Sequence, residues 1–240
     1  MYTPRLRVWS VATLIALVGG FAVAAFVAPM DADQGFMQKI FYLHVPLAIV
    51  ALVGFVFAGV CGVMHLRSGE PLWDLRSYVA IHVSLILGIA VLITGAIWGR
   101  AAWGVWWEWR EPTLVSFLIV FLLYCTYQPL RFSIEDREKQ SRYASVFAIV
   151  AGAFVPLNFI AVRMATPYIH PRTLDAANEN LPGWMLGAFL LCLLGVALLY
   201  VTLWKYEMAH KQLTFRLRAL QRRLGGEVPT TRSAAPDLSL

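Results

Sequence analysis

Charge is scarce in this chain. Of its 240 residues only 14% are Asp, Glu, Lys or Arg, whereas 59% are hydrophobic. A soluble domain carries about 25% charged residues, so the shortage argues against one. The apolar residues show no alternating pattern. They fall in uninterrupted blocks of about 20, the length that a bilayer core about 30 Å thick demands of a helix. Cysteine is scarce too: Cys61, Cys125 and Cys192 stand alone, and the missing C-x-x-C spacing excludes a dithiol redox pair. All three fall inside apolar blocks, where buried free thiols are expected. Neither midplane charges nor broken helices are evident, which argues against a conventional transporter. No self-similarity appears at periods of 20 to 50 residues, so repeat architectures are excluded as well.

What is present is an all-α integral membrane protein with six transmembrane helices. The expected spans are Trp9–Ala28, Phe41–Met64, Tyr78–Trp98, Thr113–Leu130, Tyr143–Val162 and Trp184–Trp204. The first is longer than a signal-peptide core and reads as a retained helix. His65–Ser77 and Arg131–Arg142 read as polar loops, Pro29–Lys39 as a short link and Arg163–Gly183 as a longer excursion. Residues 1–204 form one membrane domain. Residues 205–240 form a basic tail, in which Lys205–Leu224 extends helically and Gly225–Leu240 is expected to be disordered.

The net charge of +6 is a matter of topology and not of nucleic-acid binding. With alternating sides, 15 of the 20 lysines and arginines fall on one face. Positive residues stay cytoplasmic, so both termini are inside. Small and polar residues within the spans (Ser84, Thr94, Thr126, Asn158, and Gly19, Gly20, Gly88, Gly95, Gly152) are expected to serve helix–helix contact. Pro156 is the one candidate kink.

The stretch Trp98–Pro112, W-G-R-A-A-W-G-V-W-W-E-W-R-E-P, holds five of the nine tryptophans and lies on the outer side. As a short interfacial helix it would put Trp103, Trp106, Trp107 and Arg110 on one face, at i, i+3, i+4 and i+7. Such a stripe suits a membrane anchor at headgroup depth or a platform for a large planar apolar ligand. His65 and His210 fall at the inner face beside charged residues, where solvated surface is expected. His82 lies one turn inside the third span, and an ionisable residue there is a candidate for function or for an interfacial hydrogen bond. His44 and His170 share the outer face with the tryptophans. Two imidazoles can ligate a haem iron axially beside an aromatic platform. The arginines of that side (Arg100, Arg110, Arg163, Arg172) have the fork geometry to pair with propionates. Interfacial packing accounts for the same histidines without a ligand. Pro46 and Pro171 are expected to hold the backbone near them in helix-start or non-helical geometry. No C-x-x-C-H segment exists for covalent attachment, so any haem here is noncovalent.

W-G-V-W-W-E-W at Trp103–Trp109 resembles the tryptophan-rich signature of the haem-handling proteins of cytochrome c assembly. K-I-F-Y-L-H-V-P-L-A at Lys39–Ala48 is similar to the span-two histidine segment of the cytochrome c maturation protein C family (CcmC, also called haem exporter protein C). The similarity covers most of Met1–Trp204. It implies that His44 and His170 are axial ligands of haem b and that Trp103, Trp106, Trp107 and Trp109, with Arg110, line its platform. It also implies a bacterial inner-membrane protein that presents haem outside and hands it to a periplasmic haem chaperone, alongside ABC-transporter-type subunits. That role needs no catalysis by this chain. The chain departs from the family at Arg110, where the signature usually carries Asp; the acidic group is missing or displaced to Glu108 or Glu111. Pro112 occupies the place of a family arginine, for which Arg110 is the candidate substitute. The tryptophan pair common before the second histidine is replaced by Arg163–Tyr168. Alternatives are a cytochrome c synthetase-type protein of the same superfamily, a b-type cytochrome subunit for quinol oxidation, and a structural subunit without a cofactor. The synthetases are generally larger, and a quinol cytochrome expects histidine pairs deep within spans.

Overall fold

The computed structural model describes residues 4–170 and 183–223. Among them are seven α-helices: α1 Pro4–Ala22, α2 Phe41–Ser68, α3 Pro71–Trp103, α4 Pro112–Cys125, α5 Tyr127–Phe132, α6 Arg137–Met164 and α7 Gly183–Arg223. A π-helical segment, Val23–Val27, prolongs α1, and a 3-10 segment, Phe36–Ile40, leads into α2. Together these make six helices long and apolar enough to cross a membrane. Their outward faces carry bare aliphatic side chains such as Val53, Val60, Val150 and Leu157, which lipid satisfies and water would not. The protein is a multi-span helical membrane protein.

Two spans depend on proline. Pro129 offers no N–H to the Cys125 carbonyl, and the fourth span breaks there into α4 and α5. Pro156, the expected kink, leaves α6 unbroken from Arg137 to Met164.

The centre of the bundle is α2, which packs against α3, α6 and α7. Inside lipid no water drives helices together, so small residues that let backbones approach carry the association. Gly59 of α2 meets Gly152 of α6, where an added Cβ would come within 3.1 Å of the opposite Cα. Phe55 stacks on Tyr124 at 3.8 Å between centroids. The α1–α7 pair is built on the same principle: Gly20 faces the Leu191 and Cys192 backbone. Thr13 and Thr202 share a 2.8 Å hydrogen bond across it. Gly19, expected to allow a close approach, faces open space, and Thr126 bonds back to Leu123 of its own span instead of to a neighbour.

Three further expectations change toward the end of the bundle that holds the α2–α3 turn. The loop placed at His65–Ser77 shrinks to a turn at Gly69–Glu70, because α2 and α3 both continue past the apolar core. Gly69 caps α2 with φ of 70°, a left-handed conformation that glycine adopts without steric cost. The longer α2 carries His65 onto the face that already buries Ala58 and Cys61, so His65 is buried rather than solvated and its Nδ1 bonds Ser145 Oγ at 2.8 Å. His210 is exposed, as expected. Cys61 and Cys192 are buried, but Cys125 is exposed, since a position within a span can still point at lipid.

Beyond Trp204, α7 runs on unbroken to Arg223, and its first turns there stay packed, through Met208. Tyr206 bonds Ser10 at 2.9 Å, and the Lys205 ammonium lies 5.1 Å from the Trp9 ring centre. The Glu207 carboxylate takes His82 Nδ1 at 2.8 Å, so His82 is a helix-pairing group between α3 and α7. Nearby, Arg131 makes a two-point pair with Asp74 at 2.7 and 2.5 Å and donates to the Tyr127 hydroxyl. Buried arginines are stable only when paired in this way. The Gly225–Leu240 segment lies outside the described residues.

Candidate functional site

At the opposite end the tryptophan-rich stretch is not a helix lying on the surface. Its first third completes α3, which ends at Trp103 because Gly104 turns left-handed with φ of 76°. Arg100 donates to the Gly104 carbonyl and satisfies one of the orphan groups at that helix end. Residues 105–111 form a non-helical turn, and Pro112 then opens α4 at its first position, where proline costs no hydrogen bond. A glycine stop and a proline start leave too few residues for a helix between them. The expected i, i+3, i+4, i+7 stripe therefore dissolves, and the tryptophans divide between two environments.

Trp103 and Trp107 turn inward. With His44, Trp98 and His170 they wall a cavity of about 240 Å³ that reaches down between α2, α3, α4 and α6 to an aliphatic floor including Leu52, Val91, Val120 and Val155. Trp106 and Trp109 turn outward, 60% and 71% exposed. Trp109 stays in edge contact with Trp107 at 5.9 Å.

His44 projects from the first turn of α2 onto α3. Its ring packs on the α3 backbone at Gly95, where an added Cβ would stand 2.8 Å from His44 Cε1. Trp98 meets the ring edge-on at 5.8 Å and is itself held by a 2.8 Å bond from its Nε1 to Gln34. The His44 Nδ1 lies 2.9 Å from Thr94 Oγ1. That hydroxyl spends its own hydrogen on the Ala90 carbonyl at 2.7 Å, so it accepts from His44 and Nδ1 carries the proton. The remaining nitrogen, Nε2, keeps its lone pair. A ring oriented by a hydrogen bond at one nitrogen and free at the other is the usual form of a metal-ligating histidine. Pro46 sits inside α2, one and a half turns in, where it removes only the bond to the Tyr42 carbonyl.

His170 reaches the same cavity from the segment after α6. Its ring lies 5.9 Å from that of Trp103. Pro171 and Arg172 lie outside the described residues. Arg163 lines the cavity, with its guanidinium 5.1 Å from the Phe159 ring centre. Arg110 does not enter it. The Arg110 guanidinium pairs with Glu108 at 3.1 and 3.4 Å and lies 4.4 Å over the Tyr168 ring. Each partner stabilises the other's charge: Arg110 holds the Glu108 carboxyl below its ordinary range, and Glu108 raises the guanidinium.

Glu111 carries more of the geometry than its sequence neighbours suggested. Its side chain is fully buried. One oxygen accepts the Thr113 N–H at 3.1 Å and caps α4. The other accepts three consecutive backbone N–H groups, of Tyr168, Ile169 and His170, at 2.9, 2.8 and 3.0 Å. Burial alone would raise this carboxyl, but the donors from His170, Ile169 and Thr113 outweigh it and hold the group down at about 2.

The donor set fits a haem. Two histidines converge on one apolar cavity, one of them with its outward nitrogen unprotonated. Among the described residues, the buried Trp107 Nε1 on the wall has no hydrogen-bond partner. An orphan donor of this kind costs about 1–3 kcal/mol, and a polar substituent of a bound ligand would relieve it. Thr94, Gly95 and Trp98 are parts of this arrangement that the spacing did not reveal. Thr94 was expected only as a helix-pairing group, and its contact with His44 spans 50 residues.

The family model for haem exporter protein C matches residues 2–223. Haem exporter protein C of Rhodobacter capsulatus is 30% identical over 222 residues, covering 91% of each chain. That of Paracoccus denitrificans is 35% identical over 162 residues, 68% of this chain and 67% of the relative. That of Escherichia coli K12 is 26% identical over 187 residues, 76% of each. With a tryptophan turn and a pair of histidines facing one cavity, and a match that runs through all six spans, the chain belongs to the haem exporter protein C family.

Proposed function

We propose that this chain serves cytochrome c biogenesis by binding haem b noncovalently at its outer end and delivering it to a periplasmic haem chaperone. The observation that carries the reading is the shared cavity: His44 and His170 approach it from separate elements, and Trp103 and Trp107 line it with them. Family membership supports the same cargo. His44 Nε2 and a ring nitrogen of His170 would hold the iron. The aliphatic floor would take the apolar edge of the macrocycle.

The two histidines differ in rigidity, and that difference supports delivery. His44 sits on a helix and is braced by Thr94 and Gly95. His170 hangs on a non-helical segment tied down by Glu111. Handover then proceeds by exchange of the His170 side while His44 retains the haem. Ligand pockets typically measure about 300–1,000 Å³. A cavity of about 240 Å³ would leave part of a porphyrin outside it, within reach of an acceptor. The exposed Trp106 and Trp109, with Arg110 beside them, would form the rim that the acceptor meets. The lysine and arginine bias supports an outer, periplasmic position for this rim and cytoplasmic termini. An ABC-type complex is the expected setting, and no bond chemistry by this chain is required.

The test is the visible absorption spectrum of the detergent-purified protein, oxidised and reduced, beside His44→Ala and His170→Ala. A low-spin bis-histidine spectrum that weakens or changes spin state in both variants is expected. A wild-type protein that stays haem-free when haem is supplied would end the reading and return the tryptophans to membrane anchoring.

A further inference from the structure

Three consecutive backbone N–H groups pointing at one atom form a concave nest that normally receives an external anion. Here the nest of Tyr168, Ile169 and His170 is filled by Glu111 of the same chain. The bonds are specific in direction: Glu111 Oε2 takes all three, while Oε1 takes Thr113 at the start of α4. The Glu111 N–H also reaches back to the Glu108 carbonyl at 3.3 Å. One carboxylate thus joins the tryptophan turn, the first turn of α4 and the segment that bears His170.

That segment needs such a tie. The last helical bonds of α6 end at Ala165, whose N–H goes to Ala161 and Val162. Residues 166–170 belong to no helix. Besides Glu111, the Arg110 guanidinium stacked on Tyr168 holds them from the same turn. The peptide N–H of His170 lies 3.0 Å from the carboxylate, so any shift of Glu111 moves the histidine backbone directly. The imidazole is thereby held beside Trp103.

We propose that Glu111 is the positioning residue of the second histidine: its buried carboxylate docks the His170 segment on the tryptophan turn and sets the ring at the haem cavity. This rests on the reading of His170 as a haem ligand. The carboxylate does not line the cavity and would act on a haem only through His170. An outer-shell group that orients a ligand typically contributes 10- to 100-fold to metal-site affinity.

The experiment uses the full chain loaded with haem, comparing wild type, His170→Ala, Glu111→Gln and Glu111→Asp. Glu111→Gln keeps the size but turns one acceptor into a donor facing N–H groups. The expected result is a partial shift from low-spin to high-spin absorption resembling that of His170→Ala. Haem loss to a scavenger protein should be about 10-fold faster or more. Added imidazole should restore the low-spin spectrum in both variants, which a generally disordered site would not allow. Glu111→Asp keeps the charge but withdraws it by one methylene, and an intermediate shift is expected; this variant carries the test if the Gln variant does not accumulate. If wild type is bis-histidine and His170→Ala is altered while the Glu111 variants keep the wild-type spectrum and release rate, the positioning role is overturned alone. If His170→Ala itself leaves the spectrum unchanged, it is the assignment of His170 that fails.

Discussion

Replacing Thr94 by valine removes the single oxygen that braces His44 from behind the proposed haem cavity and nearly preserves the side-chain volume. In the wild-type protein that oxygen donates to Ala90 and accepts from His44 Nδ1 at 2.9 Å. Valine takes the hydroxyl acceptor away from the Nδ1–H, which is enclosed between the α3 backbone at Gly95 and the Trp98 ring. A buried donor left unpaired costs about 1–3 kcal/mol. The imidazole can avoid that cost by turning or by moving its proton to Nε2, and either change removes the lone pair from the iron. The expected consequence is a loss of haem affinity of about 10- to 100-fold, the range for groups that orient a metal-bound histidine. The assay is haem transfer from the purified protein to a high-affinity scavenger, with Thr94→Ser as the control that restores the hydroxyl. Thermal stability of the haem-free protein should change little in the Ser variant and fall slightly in the Val variant. Haem retention equal to wild type in Thr94→Val would refute the argument that Thr94 sets the tautomer and direction of His44.

Other substitutions have signs that follow from the same contacts. Trp107→Phe removes the buried indole N–H that has no partner among the described residues; the haem-free protein should melt no lower than wild type, whereas haem should leave faster if that N–H serves a bound ligand. Gly59→Ala sets a Cβ 2.9 Å from the Ala148 carbonyl, so α2 and α6 must separate; a loss of about 1–3 kcal/mol is expected, read as a lower melting temperature in detergent. The pH dependence of the His170 segment has a defined direction. The Glu111 carboxyl is depressed to about 2 from 4.5, so docking is complete above the ordinary carboxylate range and is lost as pH falls toward 2. Hydrogen-exchange protection of the amides at 168–170 in haem-free protein should be level from pH 8 to pH 5 and decline below that; a decline centred near pH 6 would contradict the sign.

How much of this was legible in the residue order differs from one element to the next. The six spans were, because a bilayer reads composition over about 20 residues and needs no knowledge of neighbours. The charge asymmetry supports a proposed topology on similarly local terms. His44, His170 and the tryptophans were singled out together because alternating spans bring them to one end. The helix proposed for Trp103–Arg110 failed at Gly104, where a left-handed stop outweighed an apolar spacing that fits a helix. His65 was misjudged from its charged sequence neighbours. About one more turn of α2 than the apolar run required, to Ser68, holds it against Ser145 of α6.

The sequence by itself determined the solvent of this protein, the number of its crossings and the end of the bundle at which His44, His170 and the tryptophan turn gather. Those properties are sums over local stretches of chain. Only the tertiary structure decided which tryptophans face inward, which nitrogen of His44 keeps its lone pair and what holds His170 in place. Each of these depends on a contact between residues distant in sequence: Thr94 with His44 across 50 positions, Glu111 with His170 across 59. A hydrogen bond is directional and acts over about 3 Å, so no periodicity in the chain records it until the helices have packed.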